Sequence, residues 1–337
     1  MKTHLELPAE LEPFRQEIES SEKPVIKITY ERKVTDLWSS KFGGVPYLPQ
    51  GYDFPKDSDG KYMHLLAQLN FEEIFAQVPY LAPFPKQGIL QFYISNNNLG
   101  SYGMDLEKLD NQKDFKVLYF LEIDRNHCQT DFAFLLDINE SYSTLNNQKF
   151  SALQFVDENN SSLDNPLIDC IYEHYSSPLK HQDVNNSQEC LALQFSPDNE
   201  WVCPEDYQIN NIFEEQKVKQ FFEVMSADNY KVFDWYYANL YEIHHKIGGY
   251  AYFTQTDPRE YTPQYQDHKV VLLHMISDDE FCWGDGGVGN FLIRAEDLEK
   301  LDFSQVIYNP HSADIRSDLI SKEFRILKTS NNCSAII

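Results

Sequence analysis

The sequence predicts an α+β fold, rich in strands, in which two pseudo-symmetric repeat units form packed sheets and a helical segment lies near residues 210–241. Three blocks carry that prediction. Lys41-Phe-Gly-Gly-Val-Pro-Tyr-Leu-Pro-Gln50 returns as Lys246-Ile-Gly-Gly-Tyr-Ala-Tyr-Phe-Thr-Gln255, with Lys, both Gly, Tyr and Gln at the same spacing. Leu65–Leu69 is answered by Leu272–Met275, which sets Gln68 against His274, and Gly88–Ile94 is answered by Gly287–Ile293. Three blocks in one order point to a duplicated unit, and the seam between related halves is a natural cleft.

Each element follows from its pattern. Leu11, Phe14 and Ile18 stand at helical spacing with acids opposite, which predicts a short amphipathic helix over Pro8–Ser20. Pro24–Thr29 alternates and reads as a strand. The first repeat supplies strands at Leu65–Leu69 and Ile89–Ile94, joined through Pro79, Pro83 and Pro85. Aromatic and aliphatic runs predict strands at Phe115–Ile123, Asp131–Ile138, Ala152–Val156 and Cys190–Phe195, separated by Asn-rich turns. From Asn210 to Tyr241 the apolar residues take helical spacing, with a break at Asp228-Asn229. The expected organisation is one domain over residues 1–337. Repeat unit one occupies about 35–100, a β-rich middle segment about 110–200, the helices with repeat unit two about 205–308, and an extension 309–337.

Composition narrows the function classes. The 42% hydrophobic and 14% aromatic content excludes a fibrous or disordered chain. No run is long enough to span a bilayer, and Met1–Pro8 lacks the apolar core of a signal peptide. Six scattered cysteines without a CxxC pair suit free thiols and a cytoplasmic location. A net charge of -25 argues against nucleic acid and anionic membranes as partners, because both need a basic footprint. It fits either plain solubility or a basic protein partner.

The familiar motifs fail on their physics. Gly284-Asp-Gly-Gly-Val-Gly289 has the letters of a dinucleotide fingerprint, but a strand follows it where the pyrophosphate needs a helix N-terminus. Asp53, Asp57 and Asp59 before Gly60 miss the calcium-loop spacing, and Asp57–Gly60 reads as a hairpin turn. Neighbouring His244 and His245 diverge too far to share a metal, so no metal and no cofactor is expected.

Polar residues around the repeats remain as candidates. Lys246, Gln255, Asp257, Arg259, Trp283 and Asp285 gather about the second copy, with Lys41 and Gln50 their counterparts in the first. Arg259 offers a planar fork to a carboxylate or phosphate and Trp283 a stacking face; equally, Asp257 or Asp285 pairs with Arg259. Gln68 and His274, with Gly43, Gly44, Gly248 and Gly249, read as structural residues at the seam.

These residues resemble the YwqG-like family of bacterial proteins, whose domain has no known function. The likeness rests on Lys246–Tyr250, Phe253–Arg259, Trp283–Gly287, Asp297-Leu298 and Asp302–Ser304, with Gly43–Pro49, Leu66–Leu69 and Gly88–Phe92 in the first half. It covers roughly residues 35–308. His274 stands where members tend to carry Gln, and Pro310-His311 where they tend to end Trp-Asp. The resemblance implies a β-rich α+β cytosolic protein and supplies no catalytic residues.

The expectation from the sequence is therefore a non-enzymatic binding or interaction protein, of oligomeric state that the sequence leaves open. Its specific form is neutralisation of a basic partner such as a toxin, as an immunity protein would do. The alternative is a small-molecule-binding protein or enzyme that uses the cleft between the halves.

Overall fold

Alternating β-branched and aromatic residues set the strands, and the order in which they pair decides everything that follows. The computed structural model describes residues 5–95, 102–130, 132, 189–226, 229–281, 283 and 286–311. Apart from Phe132, the strands expected at Asp131–Ile138 and Ala152–Val156 lie outside these residues, as do Asp285 and the tail beyond 311.

The strands are β1 (Lys23–Val34), β2 (Lys41–Phe42), β3 (His64–Asn70), β4 (Ile89–Ile94) and β5 (Phe115–Phe120), then β6 (Glu189–Glu200), β7 (Lys246–Gly248), β8 (Val270–Ile276), β9 (Val288–Ile293) and β10 (Ile307–His311). They form one 10-stranded sheet in the order β10-β9-β8-β7-β1-β6-β2-β3-β4-β5. Every pairing in it is antiparallel. The two long strands β1 and β6 form its centre, paired from Lys23↔Glu200 to Val34↔Glu189.

The sheet curls until its two ends meet. Phe92 on β4 lies 4.8 Å from Phe291 on β9, and Phe115 on β5 lies 5.2 Å from Tyr308 on β10, ring centre to ring centre. A nearly closed sheet still has two edges, and exposed edges invite unwanted pairing. Here the segment between β4 and β5 occupies them. Gln112 Oε1 accepts from the Val117 amide at 2.9 Å while its Nε2 donates to the Phe303 carbonyl at 2.6 Å. The Tyr308 amide donates to Leu109 O at 3.0 Å, and Pro310 has no amide to offer.

The inner face of the curl is a continuous apolar core that includes Phe42, Leu69, Phe92, Leu273, Phe291 and Tyr308. Two further clusters cover the outer face. Loop residues Leu48, Phe54 and Met63 pack with Leu65 and Tyr93 over the strands of the first half. The helices cover the second. These are α1 (Arg15–Ser20), α3 (Ile209–Ile212), α4 (Glu215–Val224) and α5 (Tyr230–Asn239), and they meet around Phe14, Phe221 and Tyr236. Two short helices, α2 (Phe71–Gln77) and α6 (Ala295–Glu299), each follow a strand.

Several boundaries differ from the sequence reading for local reasons. The helical stretch 210–241 is three helices, one more than the expected break at Asp228-Asn229 gives, because Phe213 and Glu214 leave the helical region at φ/ψ of -99/143 and -63/146 degrees. Helix α2 escaped notice because only Phe71 and Ile74 are buried along it; Asn70 starts it by accepting the Glu72 amide at 3.0 Å. Strand β10 runs through Asn309, Pro310 and His311, residues expected in the C-terminal extension.

Candidate functional site

Three candidates of the second copy, Lys246, Asp257 and Arg259, belong to a buried ionic network between the sheet and the helical layer. Lys246 leads it. Ile247 points into the core on the inner face, so pleat alternation sends Lys246 to the outer face, where it is fully buried. An ammonium there needs a counter-charge. Glu200, the end residue of β6, provides it with both oxygens at 2.8 and 2.7 Å, and the Tyr241 hydroxyl lies at 3.0 Å. Burial is the largest influence on both partners, lowering Lys246 and raising Glu200 from their ordinary values, and each partner's charge works against the other's shift.

Arg259 is likewise wholly buried. Its guanidinium donates to Asp257, to Asp206 at 2.9 Å and to the His268 carbonyl at 2.8 Å. Burial opposes its charge, but Asp206 and Asp257 outweigh burial and the group stays protonated. Burial raises Asp257, and Arg259 opposes that rise. The fork that could have held an external carboxylate is thus filled from within. Successive amides tie the two ion pairs together: Tyr250 N–H donates to Glu200 at 2.5 Å and Ala251 N–H to Asp206 at 2.8 Å.

The glycine pairs make this geometry possible. Gly248 and Gly249 have φ of 76 and 65 degrees, as Gly43 and Gly44 have 65 and 73 degrees. A Cβ on Gly249 would stand 2.1 Å from Glu200 Oε1. The carboxylate occupies the space a side chain would need.

The remaining candidates are scattered. Gln255 is half-buried in the loop before Asp257, and Trp283 is fully buried, edge-on to Tyr102 at 5.4 Å, so it shows no stacking face to solvent. Gln50 is exposed on the first half. Lys41 shares the outer face with Lys246, but β1 and β6 lie between their strands. Gln68 and His274 do not meet either, with four strands between β3 and β8. Each is held within its own half. Gln68 accepts from the Tyr47 amide and from Gln91, and donates to Leu37 O and Ser39 O. His274 donates through Nδ1 to Asn290 Oδ1 at 2.6 Å, an assignment fixed because Asn290 Nδ2 is already donated to Tyr252 O. Burial, with Lys246 nearby, holds His274 well below the ordinary histidine value and therefore neutral.

Lys41 differs from Lys246 in having no carboxylate at ion-pair distance among the described residues. Its Nζ donates to Asp36 O at 2.7 Å and sits 3.4 Å from Thr35 Oγ1, which is 3.0 Å from Cys190 Sγ. Burial lowers it to about 8.

Sequence reasoning missed Glu200 and Asp206, because nothing local marks a residue whose partner lies 46 or 53 positions away, and it read Tyr241, five positions before Lys246, only as the end of a helical face. It also missed an open recess of about 570 Å³ on the outer face of the first half, bordered by Tyr52, Asp53, Phe54, Lys56 and Tyr62 among others. Asp53 had drawn notice only as part of a failed calcium loop. Among the described residues no group of three or more His, Cys, Asp or Glu could hold a metal ion, and no helix is long and apolar enough to cross a membrane.

A curled antiparallel sheet, faced by helices and tied to them by buried ion pairs, defines the class: a β-rich α+β domain. The chain belongs to the DUF1963 family, a domain of unknown function, whose family model matches residues 40–311. No curated protein matches it.

Proposed function

We propose that this chain is a non-enzymatic binding protein of the bacterial cytoplasm that engages a basic protein partner, as an immunity protein engages a toxin. The observation that carries this reading is where the charge lies. Nine charged residues among those described are buried, six acidic and three basic, so burial hides a net charge of only -3 among the described residues of a chain that carries -25. An acidic surplus left outside the core steers a cationic partner, and that attraction weakens with salt. The three described cysteines are unpaired, which supports a reducing compartment. The test is retention of lysate proteins on the immobilised chain. A basic protein held at low ionic strength and released as salt rises supports the reading; retention of no basic protein overturns it.

The same reading takes the chain as one domain of two pseudo-symmetric halves, close to the YwqG-like pattern. Matching registers support the duplication. Lys41 pairs with Gln68 as Lys246 pairs with His274, and both halves carry a bulge one step further on. Gln91 donates to Tyr47 O at 2.6 Å as Asn290 donates to Tyr252 O at 2.8 Å. An experimental structure in which β2–β4 and β7–β9 superpose with the two lysines out of register would remove this reading.

A second reading, a small-molecule or catalytic site between the halves, is favoured by Lys41 alone. It lies on β2 against β6, and its lowered value leaves part of it as a neutral amine near pH 8. A pH titration of the Lys41 amine followed by NMR tests it: a midpoint near 8 that moves on adding a small-molecule ligand supports it, and an ordinary lysine midpoint dismisses it.

A further inference from the structure

We propose that the recess between Tyr52 and Tyr62 is the seat for an arginine side chain of a basic partner; this rests on the basic-partner reading above. The recess, of about 570 Å³, is large enough for such a side chain with part of its backbone. Its walls are aromatic. Tyr52 is 42% exposed and propped edge-on against Phe120 at 5.1 Å, and Phe54 meets Tyr62 edge-on at 5.8 Å. Aromatic faces carry negative potential and attract a cation placed above them.

The chain itself demonstrates the preference. Lys56 Nζ rests 4.7 Å from the centre of the Tyr62 ring, with no carboxylate at ion-pair distance among the described residues. It is the native cation on this surface, and a strongly hydrated one on a flexible stem. A guanidinium is planar and weakly hydrated, so it stacks better and displaces Lys56. Asp53, also on the rim, makes no hydrogen bond or ion pair among the described residues and is available to an incoming cation. An anionic ligand is disfavoured at the same place, because Asp53 stands on the rim beside Lys56 and the whole chain carries -25.

The occupant is thus an arginine-bearing basic segment, held by ring stacking and by Asp53. Binding of a fluorescein-labelled hexa-arginine peptide, followed by anisotropy at two salt concentrations, tests it. Tyr52→Ala and Asp53→Asn are each expected to weaken binding about fivefold. Tyr52→Phe keeps the ring and the affinity, whereas Tyr52→Leu keeps apolar bulk and loses it. Lys56→Ala removes the competing cation and tightens binding. Glu299→Gln, an exposed acid on α6, serves as the control for general charge loss. If the peptide binds but the Tyr52 and Asp53 variants match that control, the recess is not the seat while the basic-partner reading survives. If Lys56→Ala weakens binding, the displacement argument is wrong and the inference falls. If the peptide does not bind at low salt, both readings fall together.

Discussion

Glu200 at the end of β6 grips Lys246 on β7 with both carboxylate oxygens, at 2.8 and 2.7 Å, across the width of β1. The pair is buried on both sides, so its worth lies in each partner cancelling the other's burial. Lys246→Met should therefore destabilise the fold by about 3–5 kcal/mol, leaving a lone buried carboxylate. Lys246→Met combined with Glu200→Gln should recover much of that loss, since the amide oxygen still accepts from the Tyr250 amide. Urea unfolding of the single and double variants checks this. A double variant no more stable than the single would mean that the network's packing, not its charge balance, carries the stability.

Gly249→Ala tests the turn beneath that pair. With φ at 65 degrees and Glu200 Oε1 2.1 Å from the new Cβ, the substitution meets both backbone strain and a clash with a carboxylate that is already committed. A loss of about 2 kcal/mol or more is expected. Gly60→Ala is the comparison: its φ is 79 degrees but nothing stands within 4 Å of the added carbon. It should cost clearly less in the same unfolding assay.

Lys41 gives the fold a pH signature of definite sign. Its folded value is about 8, below the ordinary lysine value of 10.5, so the unfolded chain binds more protons between the two. Stability then rises with pH across that window as the burial penalty of the charged form is relieved. The full effect is on the order of 3 kcal/mol. The tyrosines titrate in the same range, so the quantity to measure is the difference in unfolding free energy between wild type and Lys41→Met from pH 7 to 10.5. That difference should move in favour of wild type as pH rises, and a flat difference would refute the buried-amine assignment.

Gln112 is expected to behave as a clasp for the curled sheet. Its side chain joins the Val117 amide on edge strand β5 to the Phe303 carbonyl ahead of β10. Gln112→Ala should cost about 1–3 kcal/mol by leaving a backbone amide without its partner. It should also raise hydrogen exchange at Val117 selectively, while amides of the central β1–β6 pair keep their protection. Uniform exchange changes would show that Gln112 adds stability without closing the edge.

Local pattern made much of the fold legible. Ile89–Ile94 was read residue for residue, and Leu65–Leu69 grew by only one residue at each end to become His64–Asn70. The repeated Lys-x-Gly-Gly block announced unusual backbone, and all four glycines have positive φ. The candidate residues were legible as types but not as partners. Asp257 and Arg259 are two positions apart and their side chains share hydrogen bonds of 3.0, 3.1 and 2.6 Å, so proximity could be guessed. Asp206 could not, being 53 positions from Arg259.

By itself, then, the sequence determined most of the described strands and the helical stretch after Asn210, where the chain must turn on glycine, and that the molecule carries a large negative charge. Those depend on side-chain periodicity, on the absence of a Cβ and on simple counting, all of which are local or additive. Tertiary structure alone decided that β6 lies at the centre of the sheet beside β1, bringing Glu200 to Lys246 while Lys41, among the described residues, meets a backbone carbonyl instead. It also decided that Arg259 spends its fork on its own chain while Tyr52, Asp53 and Lys56 border an open recess. The reason is physical: a buried charge is stabilised by whatever the strand order sets across from it, and strand order is settled by long-range pairing that no single stretch of chain encodes.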